Sequence, residues 1–507
     1  MAETPTGQPP RPSPAARSRA RAAGDGAETR GARGRTPRGQ RGRAAKAPRV
    51  RPLATPSRPD VYATERPFWA LGALVLLFVA GHFFAPVAVL ARAGTLALGV
   101  ALGLDAWMLW GSGGRLASAR RIEEKLSNGD PNPVELTVAS TYRFATRVRV
   151  LDEPPAGFVA TDPALRTLGF DAELEPGASA AFAYEVRPTE RGAFSWGAVN
   201  AYATGPLGLL QRRFRDGDEE ARPVYPSIIQ MRRYAFLAAT NRLTEAGVRP
   251  VRRRGHAHEF DRLRDYAPGD DVRRINWKAT ARRQGRPGGG LVTNEYHDER
   301  QQPLYAALDM GRAMREAFDG LTLLDHSVNA ALALLNVALI RGDKAGLFAF
   351  GKTVESVVPA AGGGRQRVRL LEALHALAPT FEEPGYGALY ATVRARMPKR
   401  GLFLLFTNFE TRTALRRRLP HLKALARRHR LVVIFFENVG VRAILERPAE
   451  RAEDVYVKAQ ADALAEERRA VLETLQQAGI GAILTTPESL TVDAINRYLL
   501  LRQEEVA

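Results

Sequence analysis

The 507-residue chain contains no cysteine. This absence excludes disulfide bonds, thiolate catalysis and zinc sites with cysteine ligands, and it is compatible with a reducing compartment. Acidic residues are also fewer than basic ones: the chain contains 54 aspartate and glutamate residues and 74 lysine and arginine residues. Hydrophobic residues nevertheless make up 45% of the chain, so most of it is expected to bury cores, as two or three folded domains.

The excess of positive charge is concentrated at the N-terminus. Residues 1–66 contain fifteen basic and five acidic residues and almost no large apolar side chains. This composition predicts a disordered basic tail, because too little surface can be buried to offset the ordering entropy. Three explanations of the charge stay open: attraction to anionic lipids, sequence-independent contact with nucleic acid, and the composition of a GC-rich genome. The lack of interleaved aromatic residues disfavours nucleic acid.

Two long apolar runs follow the tail. Residues 67–91 contain no charged side chain, and a second run covers residues 93–110. At roughly 20 residues per span, they predict a transmembrane hairpin over residues 67–110 with its turn near Pro86. Basic residues flank both ends, which places both ends in the cytoplasm and predicts a multi-pass protein of the bacterial inner (cytoplasmic) membrane. The alternatives are one span followed by a surface helix, and a buried hairpin in a soluble protein.

The remaining chain predicts a multi-domain fold. Residues 111–130 are expected to form a juxtamembrane linker, and 131–226 an antiparallel β-sandwich of about seven strands, because short alternating runs are separated by proline and glycine. Residues 227–300 are a polar connector. Strands and amphipathic helices alternate over 301–507, which predicts a doubly wound, mainly parallel α/β domain. Its predicted strands are 304–308, 345–350, 401–406, 431–436 and 481–485, and its predicted helices lie near 322–341, 365–378, 385–397, 411–429, 455–478 and 488–502.

The connector contains the densest charge pattern, in a signature segment from His258 to Ala281. Acidic and basic residues alternate around the turn at Pro268–Gly269, and Trp277 is expected to be a hydrophobic anchor. Three functions are open: an ion-pair network that clamps the connector to the α/β domain, a docking surface for a partner protein, and a catalytic site. The candidate interaction residues are Glu259, Asp261, Arg264, Asp265, Tyr266, Asp270, Asp271, Arg274, Trp277 and Lys278.

The signature segment resembles that of the domain of unknown function 58 family, and so do Gly205–Leu209 and Asp325–His326. The resemblance covers roughly residues 67–440. This family consists of bacterial membrane proteins with a von Willebrand factor A-like domain, often encoded beside MoxR-type AAA+ ATPases. The resemblance therefore implies a membrane hairpin, a sandwich and an A-like α/β domain, and no established enzymatic activity.

A second candidate site lies at the end of the first α/β strand. By the same resemblance, A-type domains bind Mg²⁺ through an Asp-x-Ser-x-Ser loop and a later aspartate. In this sequence only Asp309 remains, because Gly311 and Ala313 stand at the serine positions and Asn408 at that of the second acid. A single carboxylate rarely holds Mg²⁺. We therefore expect a degenerate metal site, no cofactor, and a loop used as a protein-contact edge.

A third feature is residues 411–430, which contain eight basic residues and no acidic one. They predict either a solvated basic helix face or a contact with anionic lipid or an acidic partner.

The function predicted from these features is that of a non-catalytic membrane-anchored scaffold or adaptor. By resemblance it would work with a MoxR-type AAA+ ATPase in envelope protein assembly or stress response. The alternative from another class is a metal-dependent hydrolase acting on nucleic acid, but nothing in the sequence places Glu259, Asp270 and Lys278 on adjacent strands around one metal. A lipid-surface scaffold without a protein client is a third interpretation.

Overall fold

The computed structural model describes residues 51–52, 61–165, 168–216, 221–240, 242–248, 259–267, 272, 275–283, 290–297 and 303–506. The N-terminal tail therefore lies almost entirely outside the described residues. Its last part contributes two short strands, β1 (Arg51–Pro52) and β2 (Val61–Ala63). Both pair with strands of the sandwich described below, so this end of the predicted tail takes part in the fold.

Two apolar helices form a hairpin. They are α1 (Glu65–Phe83) and α2 (Ala85–Ala106), and a wider π-helical turn continues the second helix to Gly111. The chain reverses at Phe84 and the next helix begins at Ala85, with Pro86 in its first turn, close to where the sequence predicts the turn. Both helices are long and apolar enough to cross a membrane, and most of their side chains are exposed. A third helix of similar hydropathy, Leu323–Ile340, is buried inside the protein instead.

Two five-stranded sheets pack face to face after the hairpin. Their spatial orders are β1-β3-β5-β9-β7 and β2-β12-β11-β6-β8, and a three-stranded sheet, β10-β13-β4, accompanies them. The strands are β3 (Leu116–Ile122), β4 (Leu126–Ser127), β5 (Asn132–Ser140), β6 (Thr146–Asp152), β7 (Phe158–Ala160), β8 (Gly169–Leu174), β9 (Ser179–Pro188), β10 (Gly192–Ser195), β11 (Val199–Thr204), β12 (Leu210–Asp216) and β13 (Ala221–Tyr225).

The sandwich core is built by period-two alternation. Along β5, residues alternate between buried and more exposed positions, so one face of the strand supplies Val134, Leu136 and Val138 to the core. Side chains of the second sheet, such as Val150 and Phe214, close the same core. The strand β3 lies inside the segment predicted as a linker, so residues 111–130 differ from that expectation. Its sequence, LASARRI, mixes charges with small residues and gives little alternation to recognise.

The connector is more structured than its polar composition predicts. It contains α3 (Ile228–Ala239), β14 (Glu259–Asp265), α4 (Trp277–Arg283) and β15 (Val292–His297). Tyr234, Leu237 and Ala238 of α3 join the buried core of the α/β domain. The strands β14 and β15 pair with each other in an antiparallel hairpin that is separate from the larger sheets.

The α/β domain contains a six-stranded sheet in the order β20-β19-β16-β21-β22-β23. All neighbours are parallel except β20, which is antiparallel to β19. Its elements are β16 (Pro303–Asp309), the short β17 (Ala317–Phe318) and β18 (Leu321–Thr322), α5 (Leu323–Ile340), β19 (Lys344–Phe350), β20 (Val354–Ala361), α6 (Gly364–His375), α7 (Tyr386–Arg396), β21 (Leu402–Phe406), α8 (Arg412–Arg428), β22 (Arg430–Phe436), α9 (Val439–Glu446), α10 (Ala452–Gln477), β23 (Gly481–Thr485) and α11 (Leu490–Val506).

The five predicted strands and six predicted helices of this domain are confirmed, whereas β17, β18, β20 and α9 were not predicted. Helices cover both faces of the sheet. Leu304, Ala306 and Leu308 of β16 face the core that contains α5 and α6, and the alternate residues Tyr305 and Ala307 face the core that contains α7, α8 and α10.

Candidate functional site

The carboxyl ends of β16 and β21 meet at one edge of the α/β sheet. These strands are parallel neighbours, and Asp309 and Thr407 lie at their ends. Asp309 Oδ2 accepts hydrogen bonds from the Thr407 hydroxyl at 2.7 Å and from the Tyr386 hydroxyl at 3.1 Å. Asp309 Oδ1 accepts one from the backbone N–H of Gly311 at 2.8 Å. Both carboxylate oxygens are therefore already occupied by protein donors.

Burial and charge act in opposite directions on this carboxyl group. Burial raises the pKa of Asp309, while the hydrogen bonds from Thr407 and Gly311 and the nearby Arg418 guanidinium oppose the rise. Burial also raises the pKa of Tyr386, and the negative charge of Asp309 adds to the effect. Arg418 lies over the Tyr386 ring, 5.3 Å from its centroid, and pairs with Glu383 at 2.6 Å. Asp309, Tyr386 and Thr407 thus form a network of buried donors and acceptors, and Arg418 connects it to the exposed Glu383.

The residues that the resemblance aligns with metal ligands also make contacts within the protein. A Cβ at Gly311 would lie 2.6 Å from Pro384 Cδ, so a serine here would require the loop to move. Asn408 Oδ1 accepts a hydrogen bond from Arg468 at 3.0 Å. Among the described residues, no group of three metal-ligating side chains converges. These donors do not match the octahedral set of oxygen ligands that Mg²⁺ requires.

The signature segment folds around its own small core. The backbone N–H of Asn276 donates to Val292 O at 2.8 Å, and the Thr280 hydroxyl accepts from the Val292 N–H at 3.1 Å. Ile275 is buried beside Thr293, with which it forms a β-bridge. These bonds hold α4 against β15.

The outside of this unit is unusually apolar. Leu263, Val272, Trp277 and Leu291 are 46%, 61%, 65% and 40% exposed. Trp277 therefore does not act as the internal anchor that the sequence indicated. Exposed apolar groups surrounded by charges are typical of interaction surfaces.

The predicted charged residues of the segment are only partly placed. Asp265 forms an ion pair with Arg283, and this pair lies within the connector and does not reach the α/β domain. Arg264 and Tyr266 lie at the end of β14, and Lys278 is exposed on α4. Glu259 and Asp261 belong to β14, but their side chains lie outside the described part of the chain, as do Asp270, Asp271 and Arg274 entirely.

A buried carboxylate that the sequence did not mark as a candidate joins the hairpin to the sandwich. Asp105, near the end of α2, is fully buried and accepts hydrogen bonds from the backbone N–H groups of Leu207, Leu209 and Leu210 at 2.9–3.0 Å. A Cβ at Gly205 would lie 2.2 Å from Asp105 Oδ1, which explains why this loop needs glycine.

The same loop also holds the start of the hairpin. The Thr64 hydroxyl donates to Gly208 O at 2.7 Å, and its N–H donates to Leu209 O at 3.0 Å. The family-like loop Gly205–Leu209 thus contacts the residues at both ends of the hairpin. An aspartate inside an apolar run was the sequence signal that could have identified this contact.

A second buried carboxylate joins the sandwich to the α/β domain. Arg191 and Asp325 form an ion pair at 2.6 Å with side chains only 5% and 8% exposed. Arg191 also donates to Leu374 O at 2.6 Å, and Asp325 caps the start of α5 through Thr322. The Asn329 side chain accepts from the Ser227 N–H at 2.8 Å. The family-like pair Asp325–His326 therefore begins at a structural joint.

Comparison with known proteins supports the resemblance over residues 262–439, a range that includes Asp325–His326 but not Gly205–Leu209. Residues 262–439 match the family model described as protein of unknown function DUF58. The uncharacterized protein YeaD of Bacillus subtilis (strain 168) is 27% identical over 177 residues, which are 34% of this chain and 40% of that protein. The chain thus spans about two fifths of the length of this curated relative.

Solved structures give only weak likenesses. The CARDB domain of PF1109 from Pyrococcus furiosus covers 20% of this chain and 94% of its own, at 13% identity and a TM-score of 0.14. The C-terminal domain of wzt covers 23% of this chain and 76% of its own, at 14% identity and a TM-score of 0.17. Such scores support no argument, so the assignment depends on the family model and the YeaD relative. Over residues 262–439 the chain matches the DUF58 family model, and this match together with the YeaD relative supports DUF58 as the family of that region.

Proposed function

We propose that this protein is a non-catalytic, membrane-anchored scaffold or adaptor that binds a partner protein through its signature segment. The observation that carries the proposal is the group of exposed apolar side chains on the unit formed by β14, α4 and β15, above all Trp277 at 65% exposure. Tryptophan is one of the residue types enriched at the energetic centres of protein interfaces.

The α/β domain supplies the platform, and we propose that it is von Willebrand factor A-like. The parallel neighbours of its central strand β16 and the position of Asp309 at the strand end support this assignment. Its sheet edge is proposed to be a protein-contact edge without a metal ion, because Asp309 already accepts three hydrogen bonds. Titration with Mg²⁺ by calorimetry tests this: tight binding that Asp309→Ala abolishes would favour a metal-dependent hydrolase instead.

The hairpin is proposed to cross the bacterial inner membrane twice and to leave the sandwich and the α/β domain in the cytoplasm. The exposure of both apolar helices and the basic residues on both flanks support this topology. The basic tail, which lies mostly outside the described residues, is proposed to contact anionic lipids. A reporter fused after residue 125 should give a cytoplasmic signal, and a periplasmic signal would contradict the topology.

The proposed partner is a MoxR-type AAA+ ATPase, in assembly or stress handling of envelope proteins. This choice depends on the family resemblance, and the exposed signature segment supplies a surface for it. Capture of the full chain from detergent at native expression should retain the ATPase. A captured set without any such ATPase would count against this partner.

No contact among the described residues favours the hydrolase alternative. Lys278 lies on α4 and Glu259 on β14, so the backbone does not place them on neighbouring strands around a common metal.

A further inference from the structure

The α/β domain has a cationic face, defined here as the exposed lysine and arginine side chains near the end of α7, in the loop before β21 and along α8. On α8, the exposed positions are almost all basic, while Leu415, Leu422 and Leu425 are buried. Between residues 386 and 430 the only acidic residue is Glu410. The cationic face consists of Arg394, Arg396, Lys399, Arg400, Arg412, Arg416, Arg417, Lys423, Arg427 and Arg428.

The side chains of this face have no ion-pair partner in the described part of the chain, and the one carboxylate bonded to the face is that of Glu467, which accepts from the backbone N–H of Arg412 at 2.7 Å. The neighbouring Arg418 and Arg430, by contrast, pair with Glu383 and Glu504. The positive charge also acts on His429. Burial lowers the pKa of this histidine most, and the charges of Arg428 and Arg400 lower it further. Like charges held this close repel each other unless a counter-charge binds.

The position of the cationic face argues against anionic lipid headgroups as the source of its counter-charge. The helices α5 and α6 hold the sandwich, through Asp325, Glu372 and the carbonyl of Leu374. The helix α8 packs on the opposite side of the sheet. The cationic face is therefore turned away from the sandwich that carries the hairpin.

The sandwich also acts as a spacer. The strand β5 ends at Ser140, paired with Leu116 just after the hairpin, and begins at Asn132, close to Asn128, whose side chain contacts Asp325. Its nine residues extend about 30 Å. Charges separated from headgroups by such a distance are screened, since the Debye length is about 8 Å at physiological salt.

The chemistry of the face also argues against single-stranded nucleic acid. Between residues 386 and 430 no aromatic side chain is exposed, so single-stranded bases would find no stacking surface. The seventeen residues of α8 instead present a linear row of charges about 25 Å long. Such a row is complementary to an acidic helix or an extended acidic segment.

We propose that the cationic face is a docking surface for an acidic polypeptide in the soluble phase. This surface is independent of the proposed function, because it lies on α7, α8 and the loop before β21 and not on the signature segment. A row of unpaired guanidinium and ammonium groups would bind carboxylates by charge-assisted hydrogen bonds, with strong salt dependence.

The test uses the full chain in detergent and a fluorescent poly-glutamate peptide as the probe. The variant Arg416→Glu/Arg417→Glu/Lys423→Glu reverses the centre of the face. The matched control, Arg365→Glu/Arg367→Glu/Arg369→Glu, makes the same charge change at exposed positions of α6. Binding should weaken by about tenfold or more in the first variant and by less than about twofold in the control. Equal loss in both variants, or no loss in the first, would overturn the proposal.

Two further probes distinguish the other polyanions. An oligothymidylate bound more tightly than poly-glutamate, and lost in the α8 variant, would overturn the proposal in favour of nucleic acid. In nanodiscs, the hydrogen exchange of α8 should be the same with phosphatidylglycerol as with phosphatidylcholine. Protection of α8 by phosphatidylglycerol alone would overturn it in favour of the membrane surface.

Discussion

Asp105 and Asp325 are buried carboxylates that join separate parts of the chain, whereas Asp309 is a buried carboxylate enclosed within one edge of the α/β sheet. Asp105 accepts from backbone N–H groups more than one hundred residues away, and Asp325 pairs with Arg191 across an interface. Asp309 accepts from hydroxyl groups and an N–H of its own domain. The donors around a buried acid therefore distinguish an acid that connects two regions from one that is bonded only within its own domain.

The largest loss of stability is expected when the ion pair between Arg191 and Asp325 is removed. Arg191→Ala leaves the Asp325 carboxylate buried without its cation, which should cost about 3–5 kcal/mol of unfolding free energy. Thermal and urea unfolding of the full chain in detergent, followed by circular dichroism, would measure it. Arg147→Ala is the control, because its pair with Glu173 is more than 60% exposed and should contribute at most about 1 kcal/mol. Equal losses of unfolding free energy in Arg191→Ala and Arg147→Ala would contradict the special role of the buried pair.

Removal of the Asp105 carboxylate should have the next largest effect. Asp105→Ala leaves three backbone N–H groups without their charged acceptor, at a cost of about 1.5–3 kcal/mol. Hydrogen exchange should show lost protection at Leu207, Leu209 and Leu210. The sandwich core should stay protected, and Asp171→Ala, which breaks an exposed pair, should change neither. Unchanged protection of the three amides would show that Asp105 does not hold the loop.

Asp309→Ala should destabilise the protein less, by about 1–2 kcal/mol, because Thr407 and Tyr386 can still bond to each other. The cost should also depend on pH. Burial raises the pKa of Asp309 above its ordinary value of 3.8, so the folded state holds this proton more tightly than the unfolded chain. Stability from this group is therefore full below pH 3.8 and is lost as the pH rises through the folded-state pKa.

The difference between wild type and Asp309→Ala should consequently shrink from acidic to neutral pH, as measured by unfolding at several pH values. A difference that grows with pH would mean that Asp309 is held as a stabilised carboxylate, as expected of a functional metal ligand.

The smallest effect on stability is expected from Trp277→Ala. The side chain is 65% exposed, so its removal should change the free energy of unfolding by less than about 0.5 kcal/mol. A loss of several kcal/mol would return Trp277 to the role of an internal anchor and remove the argument for a docking surface.

The sequence predicts the helices and strands of this fold better than the contacts that connect its regions. The apolar runs and Pro86 were enough to locate the hairpin turn, and strand–helix alternation was enough to locate the strands from β16 to β23, apart from β17, β18 and β20. The strand β3 was missed, because its charged residues hide the alternation. The contacts of Asp105 and Asp309 were missed for another reason: Leu207 and Tyr386 are remote in sequence, and only the tertiary fold brings them together.

The exposure of Trp277 could not be predicted either, because a tryptophan near a turn looks the same whether it packs inward or outward. Family motifs helped only partly. They marked Gly205–Leu209 and Asp325, but only the contacts revealed that these are joints between regions.

The central claim, a membrane-anchored platform that binds its partner through the signature segment, is tested most directly by one capture experiment. Wild type, Trp277→Ala and Phe236→Ala are expressed at native level and purified from detergent, and the amount of captured MoxR-type ATPase is quantified. Phe236 is a matched exposed aromatic residue on α3. We expect the ATPase with wild type and Phe236→Ala and at least about a tenfold loss with Trp277→Ala. Equal capture by all three proteins would contradict the account.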